Sequence, residues 1–283
     1  MPLDQVDVDK LGSGNLPVPA SEKEMSFLDH VEELRWHIVR SVLSIFIFGT
    51  ITFLAKDFVF NTLIAGPKEV WFPTYQMLCG LTEGLCFTPP KFDLITVGLG
   101  ESFIVHLKAS FFLGLTISFP YIFWELWRFI KPGLYDNEKQ AARGMVFICS
   151  LLFLTGISFG YFVVAPVAVS FLAGYDVGAI STVSITSYVN YLTMFTLPVG
   201  IIFELPVLVY FLAKVGLISA AFMRKYRRHA IVLILVLSAF ITPPDVVTQF
   251  LIGVPLFFLY EISIIIAKRM EKKRAAEALR EES

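Results

Sequence analysis

Three carboxylates have the type and setting to do chemistry in this chain: Glu33, Glu138 and Glu204. Glu33 sits in the segment LDHVEELR, and Glu138 closes the stretch RFIKPGLYDNE (Arg128 to Glu138), which also carries Phe129 and the helix-stopping Pro132-Gly133 pair. Two carboxylates near an aromatic ring suit a basic peptide, because a carboxylate accepts charge-assisted, bidentate hydrogen bonds from a guanidinium. Position alone also permits plainer roles. Glu33 fits a solvated helix face, and Glu138 fits the positive N-terminal end of the next helix. Glu204 lies inside an apolar run, where an ionisable side chain costs about 2.5 to 3.5 kcal/mol on insertion scales. It therefore needs a partner, a proton or water. The readings it leaves open are a protonated Glu bonded to a neighbouring helix, an anchor for another membrane helix, and part of a proton or solute path.

Enzymatic constellations are missing from the sequence. The histidines are His30, His37, His106 and His229, and none belongs to an HExxH pattern; nor is there a phosphate-binding loop or a Gly-x-Ser-x-Gly elbow. His30, Glu33 and His37 share one side of a helix, but with the histidines about two turns apart they read as interfacial side chains rather than a metal site. Cys79 and Cys86 lie close together in a polar loop, whereas Cys149 lies in an apolar run. A local Cys79–Cys86 disulfide and two free thiols both fit, depending on the compartment, and the spacing does not suit zinc. No cofactor, metal or nucleic-acid partner is expected, and neither is catalysis.

The elements that position these residues are apolar helices. At 283 residues, 56% hydrophobic and 17% charged, with a mean hydropathy of +0.70, the chain reads as an all-α polytopic membrane protein. Residues 1–24 are polar and are expected to form a disordered cytosolic tail. From a Ser26 cap, Phe27, Leu28, Val31, Leu34 and Ile38 recur at helical spacing, which predicts Asp29, Glu33 and His37 on a wet face and Arg35 on the apolar flank. Six spans are predicted at about 38–54, 105–127, 144–172, 188–213, 229–242 and 246–267, within a membrane domain covering residues 25–268 and followed by a charged tail over 269–283. The segment from Lys56 to about Gly100 is expected to form a structured cap. Trp124 and Trp127 are expected in the interfacial aromatic belt. The fifth span has only about 14 residues, roughly 21 Å of helix, so the bilayer must thin there or the Pro243-Pro244 turn must dip below the interface.

Lys and Arg gather before run one, between runs two and three, between runs four and five, and after run six. The positive-inside rule then predicts both termini in the cytosol, with the Arg128 to Glu138 stretch inside and the cysteine pair outside.

Four blocks carry a family resemblance: LDHVEELR (Leu28 to Arg35), WRFIKPGLYDNEK (Trp127 to Lys139), FELPV (Phe203 to Val207) and TPPDVVTQ (Thr242 to Gln249). Through them the chain resembles the TatC family, the signal-peptide receptor of the twin-arginine translocase, from Phe27 to about Lys268. The resemblance implies six transmembrane helices in a concave, glove-like arrangement in the bacterial cytoplasmic (inner) membrane. It implies binding of Arg-Arg signal peptides on folded cargo, recruitment of TatA/TatB-type single-span partners, self-association in a larger complex, and export driven by the proton-motive force. By the same resemblance, Glu33 and Glu138 recognise the arginine pair, with Phe129 beside them and Arg35 nearby. Glu204 lines the concavity and meets partner helices, with Gln249 on the same side, while Pro67 and Pro132 shape the outer cap and the cytosolic loop. The first outer loop departs from the family in its length and its Cys79/Cys86 pair, and the tail before Met25 is extra. The competing reading is a proton-coupled small-solute carrier using Glu204. Such a carrier usually shows an internal repeat. Phe119-Pro120, Leu205-Pro206 and Val254-Pro255 recur within apolar runs without forming one.

Overall fold

The computed structural model describes residues 27–81, 89, 92–130, 141–174, 182–242 and 245–281. Helix α1 (Phe27–Leu54) leads through α2 (Lys56–Phe58), a π-helical turn (Val59–Ile64) and a 3-10 turn (Gly66–Lys68) to α3 (Pro73–Leu81). After β1 (Leu94–Ile95) come α4 (Glu101–Ile130) and α5 (Ala141–Phe159), which continues through a π-helical turn (Gly160–Val164) into α6 (Ala165–Gly174). Strand β2 (Val183–Ser184) then precedes α7 (Ile185–Ile202), α8 (Leu205–Val215), α9 (Ala220–Lys225), α10 (Arg227–Ile241) and α11 (Val246–Glu281).

The expected helical membrane architecture is present. Among the described residues five stretches are long and apolar enough to cross a bilayer: Val31–Leu54, Glu101–Phe129, Gly144–Gly174, Ile185–Val215 and Val246–Ala276. Helix α10 has 15 residues, about 22 Å at 1.5 Å per residue against a hydrocarbon core of about 30 Å. Hydropathy does not predict the two-residue parallel ladder between β1 and β2, in which Leu94 pairs with Val183 and Ile95 with Ser184. Glu101 ties this ladder to the helices. Its carboxylate accepts from the Val97 and Gly98 amides at the start of α4, and from Ser184 Oγ and the Thr186 amide at the start of α7.

Glycines set how closely the helices approach. A Cβ on Gly114 would lie 2.6 Å from the Gly49 nitrogen, and one on Gly160 would lie 2.3 Å from the Phe195 carbonyl oxygen. Lipid offers apolar side chains the same environment as a protein core, so helix contact in a membrane depends on such close backbone approach. The Gly49–Gly114 crossing, with Thr52 donating to the Ser110 carbonyl at 3.0 Å, makes α1 and α4 antiparallel neighbours.

Two expectations are corrected by this packing. His37, predicted on a wet face, is only 4% exposed, whereas Val39, Val42, Leu43 and Phe46 are exposed. In a bilayer the apolar stripe turns to lipid and the polar stripe turns inward, the reverse of a soluble amphipathic helix. Trp127, expected in the interfacial belt, is 5% exposed and packs on Phe211 with ring centroids 4.9 Å apart. Trp124 is exposed, with the Arg128 guanidinium 5.6 Å from its ring centroid.

The cap buries Phe72 against Tyr161 and Phe162. The Tyr75 hydroxyl lies 2.7 Å from the Pro67 carbonyl, 3.2 Å from that of Pro166 and 3.0 Å from Ser170 Oγ. Burial raises its pKa above the usual phenol value, so it remains a neutral donor. At the opposite end, α11 runs past the apolar zone and clips the α8–α9 turn. Glu271 accepts from the Ala220 amide at 2.7 Å, and the Arg274 guanidinium packs over Gly216, the residue with φ +87° that ends α8. An acid at a helix N-terminus and a base at a helix C-terminus each complement the helix dipole.

Candidate functional site

The end of the α1/α4 pair opposite the cap gathers charge. Along α1, Glu33, His37 and Arg40 fall within two turns, and along α4, Tyr121, Glu125 and Phe129 follow at helical spacing of four. The antiparallel crossing sets the two rows face to face. His37 Nδ1 donates to Glu125 Oε2 at 2.5 Å, and the Tyr121 hydroxyl donates to Glu125 Oε1 at 2.8 Å. Arg40 Nη1 lies 3.9 Å from Glu125 Oε2. Glu125 is 1% exposed, and both of its oxygens are occupied.

Glu33 is placed differently. Its Oε1 faces His37 Nε2 across 3.9 Å, while its Oε2 is buried and makes no hydrogen bond. The edge of the His37 ring meets Phe129, with centroids 6.0 Å apart. The structure therefore brings Glu33 and Phe129 into one neighbourhood, with His37 between them. A buried carboxylate oxygen without a donor costs about 1 to 3 kcal/mol or more. It is an open acceptor for a cationic ligand. Arg35 is exposed on the same helix. Glu138 and Pro132 lie outside the described residues, so Glu33, Phe129 and Arg35 are the members of the expected peptide site that the structure positions.

Glu204 sits in the break between α7 and α8, which Pro206 at the start of α8 forces. The Cys149 thiol and the Phe153 backbone lie close to its carboxylate, yet neither oxygen has a hydrogen bond of normal geometry, and both are buried. Gln249 is engaged elsewhere: its Nε2 donates to the Leu235 carbonyl at 3.1 Å and joins α11 to α10. Nearby, the Asp245 side chain caps the start of α11 through the Thr248 amide at 2.7 Å and also accepts from the Thr248 hydroxyl. Pro67 is buried in the cap. Cys79 is disulfide-bonded, and Cys86 lies outside the described residues; Cys149 is free and buried. Among the described residues no three His, Cys, Asp or Glu side chains come together as a metal site.

Sequence reasoning passed over Glu125. The signal was present, because Glu125 is an acid within an apolar run, the same pattern that singled out Glu204.

The chain as a whole is similar to known proteins. The family model for "Sec-independent protein translocase protein (TatC)" matches residues 29–255. The protein of that name from Blattabacterium sp. subsp. Periplaneta americana is 32% identical over 262 residues, covering 89% of this chain and 98% of the relative. The one from Helicobacter pylori strain J99 is 49% identical over 180 residues, or 63% of this chain and 72% of the relative. A crystal structure described as "Twin Arginine Translocase Receptor- TatC" superposes with a TM-score of 0.68 at 33% identity, covering 86% of this chain and 99% of that one.

Proposed function

The chain belongs to the TatC family of Sec-independent protein translocase proteins, and on that premise we propose that it is the receptor for twin-arginine signal peptides. Membership itself makes it a multi-pass inner-membrane component of the twin-arginine translocase and not an enzyme. The finer reading assigns Glu33, Glu138, Phe129 and Arg35 to the peptide. It also reads α10 as a sixth, short crossing, with both chain ends in the cytosol and the open Glu33 site on that side.

The single observation carrying the receptor reading is the buried, unpartnered Oε2 of Glu33 beside Phe129 and His37. A guanidinium supplies the missing donors and stacks on an aromatic face, which an ammonium does less well. Binding of a twin-Arg peptide and a Lys-Lys peptide to the purified protein tests this. Glu33→Ala and Glu138→Ala should each weaken the twin-Arg peptide about tenfold, the order of one charge-assisted hydrogen bond, and leave the weak Lys-Lys binding nearly unchanged. Equal twin-Arg affinity in wild type and both variants would remove these residues from the site.

Glu204 is assigned to the docking of TatA/TatB-type single-span partners, on the ground that its two buried oxygens lack donors. Site-specific crosslinking to a partner helix should fall in Glu204→Ala while peptide binding stays normal. The proton-motive force is the proposed energy source, as the family resemblance implies, and the sequence, which has no phosphate-binding loop, fits that reading. A protonophore should then stop export in vesicles at constant ATP.

A further inference from the structure

We propose that His37 and Glu125 are positioning residues of the arginine site, holding Glu33 so that its Oε2 stays open to a guanidinium. The inference rests on the receptor reading and adds two residues to it. His37 is held through one nitrogen of its ring and aimed at Glu33 by the other. Its Nδ1 is 2.5 Å from Glu125 Oε2, its Nε2 faces Glu33 Oε1, and its edge meets Phe129. With the ring fixed through Nδ1, Oε1 of Glu33 looks toward Nε2 across 3.9 Å, and Oε2 is the oxygen left without a partner.

Glu125 performs the fixing because nothing about it is spare. Tyr121 donates to its other oxygen, and it is the carboxylate that Arg40 approaches. The charged and titratable groups facing the ring are thus Glu33 and Arg40 on α1, with Glu125 and Tyr121 on α4. Among the described residues the cation Arg40 is paired with Glu125 and not with Glu33. A polar tie serving only to join α1 to α4 would not need the ring to face a second carboxylate. Nor would it leave that carboxylate half unsatisfied. The general principle is that a recognition group is only as selective as the shell that fixes its orientation.

Recognition of an arginine fork depends on carboxylate orientation, whereas attraction of a lysine point charge does not. His37→Ala should therefore lower twin-Arg affinity about tenfold and change Lys-Lys affinity less than about twofold, compressing the ratio between them. Glu125→Ala should do the same, while Glu125→Gln, whose amide oxygen still accepts from His37 Nδ1, should recover most of the twin-Arg affinity. If Glu125→Ala fails to fold, the His37→Ala/Glu125→Gln double variant, which keeps an acceptor for Arg40 and a polar partner for Tyr121, carries the same test. Residues acting through one route are non-additive, so the double variant should lose no more than His37→Ala alone. Three results would each overturn the proposal: wild-type affinities in His37→Ala, equal losses for both peptides, or losses that add in the double variant. A wild type without preference for the twin-Arg peptide would instead sink the receptor reading beneath it.

Discussion

Glu125 and Glu204 are both acids within long apolar helices, and their surroundings are opposite. Glu125 has each oxygen engaged, by His37 and Tyr121, with Arg40 nearby. Glu204 has two buried oxygens and no hydrogen bond to either. An acid whose partners lie within the fold is a closed network that contributes to the structure. An acid without them is held at a cost, which the proposed docking of a partner helix would offset. The two cases show that an intramembrane charge cannot be assigned a role from its cost alone; the role depends on whether the fold satisfies it.

The contrast can be broken most directly by removing each charge and following thermal unfolding in detergent. Glu125→Leu should destabilise by about 3 kcal/mol or more, since it leaves His37 and Arg40 without their acceptor. An unchanged midpoint would show that the network contributes nothing. Glu204→Leu should have the opposite sign, neutral to about 2 kcal/mol stabilising, because it replaces an unsatisfied buried group with an apolar one. Destabilisation comparable to that of Glu125→Leu would erase the distinction between the sites.

Smaller changes sharpen the contrast. Tyr121→Phe removes one of the Glu125 bonds and should cost about 1 kcal/mol. Cys149→Ser places a stronger donor near Glu204 and should change stability by no more than about 1 kcal/mol in the favourable direction, while reducing partner crosslinking. A serine that left crosslinking unchanged would argue that the open carboxylate is not what the partner reads.

Much of the helical layout was legible one residue at a time. The apolar runs correspond to long helices, and the shortness of α10 is visible in the distance from Arg228 to Pro243; of the two prolines expected to interrupt the fourth run, Pro206 marks a break and Pro198 stays inside α7. The polar details were less legible, because helical periodicity identifies a stripe but not what the stripe faces. His37 was read as wet on the assumption that polar residues seek water. In this chain they seek α4. Trp127 was read as interfacial from its place at the end of an apolar run, and it proved to be core against Phe211. The β1–β2 ladder and its Glu101 tie join segments 83 residues apart, which no local pattern announces.

By itself, then, the sequence determined the helical class, the approximate runs and the family motifs, because each is written in consecutive residues through hydropathy and backbone sterics. Only the tertiary structure decided which carboxylate is satisfied. His37 and Glu125 are 88 residues apart, and they meet because the Gly49–Gly114 crossing lets two backbones approach closely enough to bring the polar faces of α1 and α4 together.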